Sequence, residues 1–239
     1  MILIIADYDD LPAHWLQAAL RQRLPMPVEL LSPAQLVYAP AIVQRMGSDG
    51  GQSHFRLWNG AELDFASVAG VINRITALPQ AHLEHAEQGD RHYAAGELHA
   101  FLLGWLASLD CPVLNPPAPE WLAGAWHREI SAVHFAVQAG LRCEAFELNS
   151  GVEGPPLPVT KGEAPTVHFV LDDQLMGPLV DARGRDSLLA FAHGWGVRLL
   201  QVETREQGGE RWFLRATSLP DCQLGGGALV RAIARVLGG

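Results

Sequence analysis

The first thirty-odd residues limit the fold more than anything that follows them. Ile2 to Ala6 is an unbroken apolar run, the pattern of a strand covered on both faces. Asp7-Tyr8-Asp9-Asp10 follows as a polar loop. Pro12 suits a helix start, where its missing N–H would have no partner. Trp15, Leu16, Ala19 and Leu20 then recur at helical spacing, Pro25 and Pro27 stop that helix, and Val28 to Leu31 read as a second strand. Strand, helix and strand within about thirty residues make a βαβ unit, whose crossover is right-handed. The expectation is an α/β protein built on an open, mainly parallel sheet.

The rest of the chain extends that reading. Val43 to Asp64 reads as hairpin or loop, with the turn signal Asn59-Gly60. Val68 to Ile72 is another buried strand and ends at Asn73-Arg74. A helix spans about 88 to 109, where Leu98, Phe101, Leu102, Trp105, Leu106 and Leu109 form an apolar stripe. Pro112 to Leu114 is a short strand closed by the rigid Asn115-Pro116-Pro117. A further helix carries Leu122, Trp126, Ile130, Val133 and Val137, with Gly140 as its C-cap. After a Gly/Pro-rich connection at 151–165 come strands at 167–171, 179–182, 197–203 and 212–216, with helices near 186–193 and 227–237.

Composition removes several functional classes. With 49% hydrophobic and 18% charged residues the chain can bury a sizeable core. The net charge is −9 and no Lys/Arg stripe stands out, which argues against nucleic acid or an anionic membrane as partner. Cys111, Cys143 and Cys222 are odd in number and form no CxxC pair. A disulfide framework or zinc knuckle is not expected, and a reducing cytoplasm fits best. The apolar start lacks a basic n-region, so it reads as a strand and not as a signal peptide. No apolar run approaches the ~20 residues of a membrane span.

Several polar groups admit both a functional and a structural role. Asn73 and Arg74 end a strand where open α/β sheets bind ligands, and they can hold a carboxylate or a peptide backbone. Arg74 can equally pair with an acidic neighbour. Asn115 can face a ligand or tie down its loop. Tyr93 and Glu97 sit four apart on the long helix and can face the same cleft as Arg74, or water. His82-Leu-Glu-His85 has a spacing that metal sites use, but its polar setting marks a solvated helix end, and no metal is expected. His127 and His134 lack a completing ligand. Gly225-Gly226-Gly227 opens the last helix without the Gly-Lys-Ser/Thr of a phosphate loop. Trp15, Trp105 and Trp126 fall on helix stripes as core.

A family resemblance is carried by Gly70-Val71-Ile72-Asn73-Arg74, the helix from Tyr93-Ala94-Ala95-Gly96-Glu97-Leu98 to Leu109, Pro112-Val113-Leu114-Asn115-Pro116-Pro117, and a helix ending Ala139-Gly140-Leu141. In this order they resemble the leading domain of ATP-grasp enzymes, in the branch of ribosomal-peptide maturases and glutamate ligases. The resemblance covers roughly residues 1–147. It implies a pre-ATP-grasp-like α/β domain at 1–118 and a reduced, shortened α+β second half at 119–239. The family's helix after the Asn-Pro loop opens on a lysine; here His127 and Arg128 stand nearest. The two-sheet clamp on ATP should follow Leu141, and only the Gly/Pro-rich stretch is found there. The family's last strand pair reads close to Phe-Leu-Glu-Val-Asn-Pro, against Phe213-Leu214-Arg215-Ala216-Thr217-Ser218 here.

Mg²⁺ takes hard, anionic oxygen ligands, whereas Arg215 is a cation and can only pair with an anion. The resemblance with these departures implies a pseudoenzyme: a non-catalytic binding or partner protein for a peptide or a ligase substrate, without cofactor. Asn73, Arg74, Tyr93, Glu97, Asn115 and Arg215 are its candidate ligand-binding residues, and its assembly would be a homodimer or a heteromer with an enzyme. Two alternatives stay open. One is an ATP-dependent carboxylate–amine ligase of shortened design, with Lys161 or Arg128 on the phosphates and ATP/Mg²⁺ as cofactors. The other is a dimeric scaffold.

Overall fold

The computed structural model describes residues 1–48, 50–119, 121–125, 127–145 and 164–238. They form two compact units, Met1–Ala125 with Gly226–Gly239, and Trp126–Gly225. The boundary expected after residue 118 lies a little before this division, and the last segment, expected in the second half, returns to the first unit. Residues 151–163 of the Gly/Pro-rich connection lie outside the described residues.

In the first unit a parallel sheet is built from β1 (Ile2–Ile5), β2 (Val28–Leu31), β6 (Gly70–Asn73) and β7 (Val113–Leu114), in the order β2-β1-β6-β7. All four residues of β1 are buried, as a strand with strands on both sides and cover on both faces requires. Helix α1 (Leu11–Arg21) connects β1 to β2; the Asp10 side chain caps it by accepting from the Ala13 N–H, and Ala13, Leu16 and Leu20 are its buried residues. Trp15 is only half-buried. After the short α2 (Pro33–Val37), the stretch expected as hairpin or loop is a three-stranded antiparallel sheet of β3 (Ala41–Gly47), β4 (Gly50–Arg56) and β5 (Glu62–Asp64).

That small sheet and the long helix α3 (Gln88–Ala107) share one core. Phe55 of β4 lies 5.0 Å from the Trp105 ring and 5.0 Å from Phe65, while Phe65 meets Trp105 edge-on at 4.8 Å. Leu3, Ile5, Leu31, Val71, Leu102 and Leu106 belong to the same cluster. Ile2 and Ile4 alternate to the other face of β1. There Gly70 makes room for Leu237: a Cβ at position 70 would stand 2.8 Å from its Cδ2.

The second unit holds a four-stranded antiparallel sheet of β8 (Thr166–Leu171), β9 (Gln174–Met176), β10 (Leu199–Gln207) and β11 (Glu210–Thr217), ordered β11-β10-β8-β9. The expected strand at 179–182 is not one. The chain turns at once from β8 into β9, Pro178 follows, and the Asp181 side chain caps α5 (Ala182–Trp195) by accepting from Gly184 N. The helix expected from Leu122 also starts later, as α4 (Glu129–Gln138). It turns Ala132 and Ala136 inward and leaves Ile130 and Val137 exposed. Two alanines one turn apart make a flat face on which α5 packs closely, and that outweighs the larger Ile130/Val133/Val137 stripe. Trp126 lies outside the described residues. The last helix, α6 (Cys222–Gly238), is broken at Gly226 (φ 54°, ψ −150°), a conformation open essentially to glycine.

Among the described residues no helix is long and apolar enough to cross a membrane. Truncating Phe55 to alanine is expected to cost about 3–5 kcal/mol of stability, read from a urea titration followed by tryptophan fluorescence. A loss under ~1 kcal/mol would mean that the small sheet does not share the core of the first unit.

Candidate functional site

The strand ends of the first unit are organised by buried polar side chains. The Asn73 side-chain N–H donates to the backbone oxygens of Asn115 (2.8 Å) and Leu122 (2.6 Å), and its Oδ1 accepts from Ile75 N at 3.2 Å. One amide therefore joins β6 to two loops far along the chain. Asn115 is itself buried at φ 56°, a left-handed backbone that asparagine tolerates better than most residues. Arg74 is buried against Asp10, with Nε donating to Oδ2 at 2.7 Å and Nη2 to Oδ1 at 3.0 Å. Thr76 Oγ1 donates to Asp7 Oδ2 at 2.9 Å.

These groups frame a cavity of about 260 Å³ between Thr76–Leu78, Gln80, the α3 residues Ala95, Leu98 and His99, and Trp121–Leu122. Asn73, Arg74 and Asn115 hold its surroundings without lining it. Tyr93, 71% exposed, and Glu97, also exposed, occupy the solvent face of α3, away from the Ala95/Leu98/His99 wall. Replacing Arg74 by methionine strands the Asp10 carboxylate, and a loss of about 3–5 kcal/mol is expected in chemical denaturation. A neutral result would remove the pair from the framework.

In the second unit, β10 and β11 bring Glu203 opposite Arg215. Arg215 Nε pairs with Glu203 Oε2 at 2.8 Å, and Gln201 Nε2 donates to Glu203 Oε1 at 3.1 Å. The arginine side chain is 76% exposed and the glutamate 10%. The hydrogen bond that Arg215 donates to Glu203, then the Glu203 charge, raises the Arg215 pKa. Gln201, Glu203, Arg215, Thr217 and Asp221 line a cavity of about 280 Å³. Sequence reading singled out Arg215 and missed Glu203, because only the strand register shows the pairing.

A larger cavity, about 590 Å³, lies in the same unit between Val137–Arg142, Leu179–Ser187 and Glu206–Arg211. Four of its charges pair, Arg142 with Glu210 at 2.7 Å and Arg211 with Glu206, while Asp181 caps α5 and Arg183 also lines the space. The fully buried His168 stands behind Arg211, whose Nη1 donates toward His168 Nε2 at 3.5 Å. Arginine can only donate, so the imidazole proton sits on Nδ1. Burial, and then the Arg211 charge, push the His168 pKa down from 6.5 to about 4. An unfolded chain takes up this proton as pH falls through 6.5, and the folded one resists until about 4. The contribution is present above 6.5 and is lost on the way down to 4. His168→Gln should therefore show a shallower fall in melting temperature between pH 7 and pH 5 than the parent chain. Parallel profiles would refute the assignment.

The histidines raised by sequence have other duties. His127 Nε2 contacts the Trp195 carbonyl at 2.8 Å, and its ring meets Phe135 and Trp195 edge-on. His82 and His85 are exposed, with His82 edge-on to Tyr38. Among the described residues no cluster of three or more His, Cys, Asp or Glu side chains can hold a metal. Residues 146–163, including Lys161 and most of the stretch where the resemblance expects a clamp, lie outside the described residues. Arg128 is exposed just before α4.

No family model matches the chain, and no curated protein matches it in sequence. Solved structures do match in fold. The macrocyclase MdnC of Microcystis aeruginosa MRC, bound with the precursor peptide MdnA, superposes with a TM-score of 0.70 at 12% identity, over 99% of this chain and 98% of that one. The RiPP-associated ATP-grasp ligase of Chryseobacterium gregarium, in complex with ADP and a leader and core peptide, gives 0.73 at 11% identity, over 99% and 96%. The RimK domain ATP-grasp protein of Sphaerobacter thermophilus DSM 20745 gives 0.52 at 13%, over 100% and 99%. The chain shares the fold of these ATP-grasp proteins, and this agrees with the fold that the resemblance in its sequence implies.

Proposed function

We propose that this chain is a non-catalytic binding or partner protein of ATP-grasp fold that recognises a peptide or the substrate of a ligase. The observation that carries the reading is the Arg215–Glu203 pair. Where the resemblance expects a carboxylate for Mg²⁺, a guanidinium stands, and it engages the Glu203 carboxylate. Each Glu203 oxygen already accepts a hydrogen bond, one from Arg215 and one from Gln201. Thr217 offers a hydroxyl in place of an amide oxygen. This donor set does not suit a hard divalent cation, which needs uncompensated anionic oxygens.

The peptide half of the reading is supported by the fold neighbours, two of which were solved with precursor, leader or core peptides. The protein would act in the cytoplasm, as a homodimer or beside a full enzyme, with no cofactor of its own. The competing reading is an ATP-dependent carboxylate–amine ligase of shortened design. It is favoured by the likeness to ligases running from end to end of the chain, and it would rest on Arg128 or Lys161 to hold phosphates.

Isothermal titration with ATP in the presence and absence of Mg²⁺ separates the two. The expected outcome is no saturable, Mg²⁺-dependent heat at millimolar nucleotide. Tight Mg²⁺-dependent binding would overturn the non-catalytic reading.

A further inference from the structure

The charge of the chain is spread unevenly. It is −9 overall, yet residues 11–27 and 226–239 contain no Asp or Glu and include Arg21, Arg23, Arg231 and Arg235. The fold brings these two segments together in the first unit, where a Cβ at Gly238 would stand 2.9 Å from Leu24 Cδ2. Arg21 is engaged by Glu29 at 3.1 Å. Arg23 and Arg231 are exposed, and neither side chain has a hydrogen bond or ion pair among the described residues. They nevertheless converge on one point. A Cβ at Gly227 would meet Arg231 Nη1 at 3.3 Å and Arg23 Nη2 at 3.5 Å, so the two nitrogens can be no farther apart than those distances together. Other guanidiniums of the chain answer a carboxylate, as Arg74 does Asp10 and Arg198 does Asp172. Here two like charges face each other with no ion pair to offset them, and the complement of such a pair is an anion.

We propose that Arg23 and Arg231 hold a phosphate group between them, over Gly227. The chemistry narrows the choice. Each guanidinium presents a planar fork of donors that pairs with two oxygens at once. A phosphate group brings three acceptor oxygens and a charge of about −1.5 to −2 at pH 7, so one group serves both forks. A carboxylate has two oxygens and a single charge, and it serves only one. A cation or an apolar group finds no partner. Nucleic acid needs basic charge along a longer track, and a chain of net charge −9 repels it. The contact comes from the two side chains, because Gly225-Gly226-Gly227 is not followed by the Lys-Ser/Thr of a phosphate loop. A free phosphate and a phosphate ester present the same oxygens to the two forks, and titration tells the sources apart. The site does not rest on the function proposed above.

The test titrates the full chain at constant ionic strength and reads the Gly227 amide and the arginine Nε–H signals by NMR. The probes are inorganic phosphate, N-acetyl-O-phosphoserinamide and acetate. A phosphate probe should bind saturably and about 10-fold or more tighter than acetate, the worth of one further charge-assisted hydrogen bond. Binding of both phosphate probes assigns the group in either form, binding of inorganic phosphate alone a free anion, and binding of the phosphoserine amide alone a phosphorylated side chain. Arg23→Gln and Arg231→Gln, both at exposed positions, should each weaken binding about 10-fold, while Arg56→Gln, at an exposed position on β4, should leave it unchanged. Where a variant fails to fold, the parent chain decides: the Gly227 amide and the Nε–H signals of Arg23 and Arg231 should move with a phosphate probe and not with acetate. No saturable binding, equal affinity for phosphate and acetate, an affinity that survives both arginine replacements, or an equal loss in Arg56→Gln would each overturn the proposal. In the nucleotide titration, ATP held at this site would need no Mg²⁺ and would be lost in the Arg23→Gln/Arg231→Gln double variant. Mg²⁺-dependent ATP binding would remove the non-catalytic reading and leave this site standing.

Discussion

A buried primary amide must find partners for its donors and its acceptor, and in this chain that requirement falls on Asn73. Its side chain sits at the end of a central strand, out of reach of water. The partners it finds are the backbone of its own strand extension and two loops more than forty residues away. Leaving such a group unpaired carries the full cost of its desolvation, about 1–3 kcal/mol. The loop at Asn115 and the segment at Leu122 are thereby fixed to the sheet, and the cavity beside them acquires a firm wall. A residue that sequence reading offers as a ligand contact thus serves to place the surfaces a ligand would meet.

Arg74 is similar. It looks available because it follows a strand in a position where α/β proteins bind ligands. Asp10 takes up its guanidinium while also capping α1. The same carboxylate answers the open N–H groups of a helix and a buried cation, so the turn after β1 and the end of β6 are set by one side chain.

Much of the framework was legible in the residues. The βαβ start, the long helix and the last two strands follow from apolar runs and helical spacing, which depend on near neighbours in sequence. What was not legible depends on register. From the hairpin turn outward, Gln207 faces Glu210 and Thr204 faces Phe213, but a bulge after Glu203 sets that residue against Arg215. Without the bulge, Glu203 would face Leu214 and the ion pair would not form. No residue type announces such an insertion. The α4 face was misread for another reason. Two stripes compete on that helix, and closeness of approach, which periodicity does not measure, selects the alanines.

The break at Gly226 has a bearing on the order in which the chain can fold during synthesis. The segment beyond it packs in the first unit, where Leu237 fills the space left by Gly70 on the opening sheet. Residues 126–225 emerge from the ribosome as a contiguous set and can reach their own structure at once. The sheet around Ile2 and Gly70 has to wait, this flank uncovered, until residues 226–238 have been made. Strands made before residue 126 are therefore completed after residues 126–225, and in the interval their apolar face stays open to chaperones and to neighbouring chains.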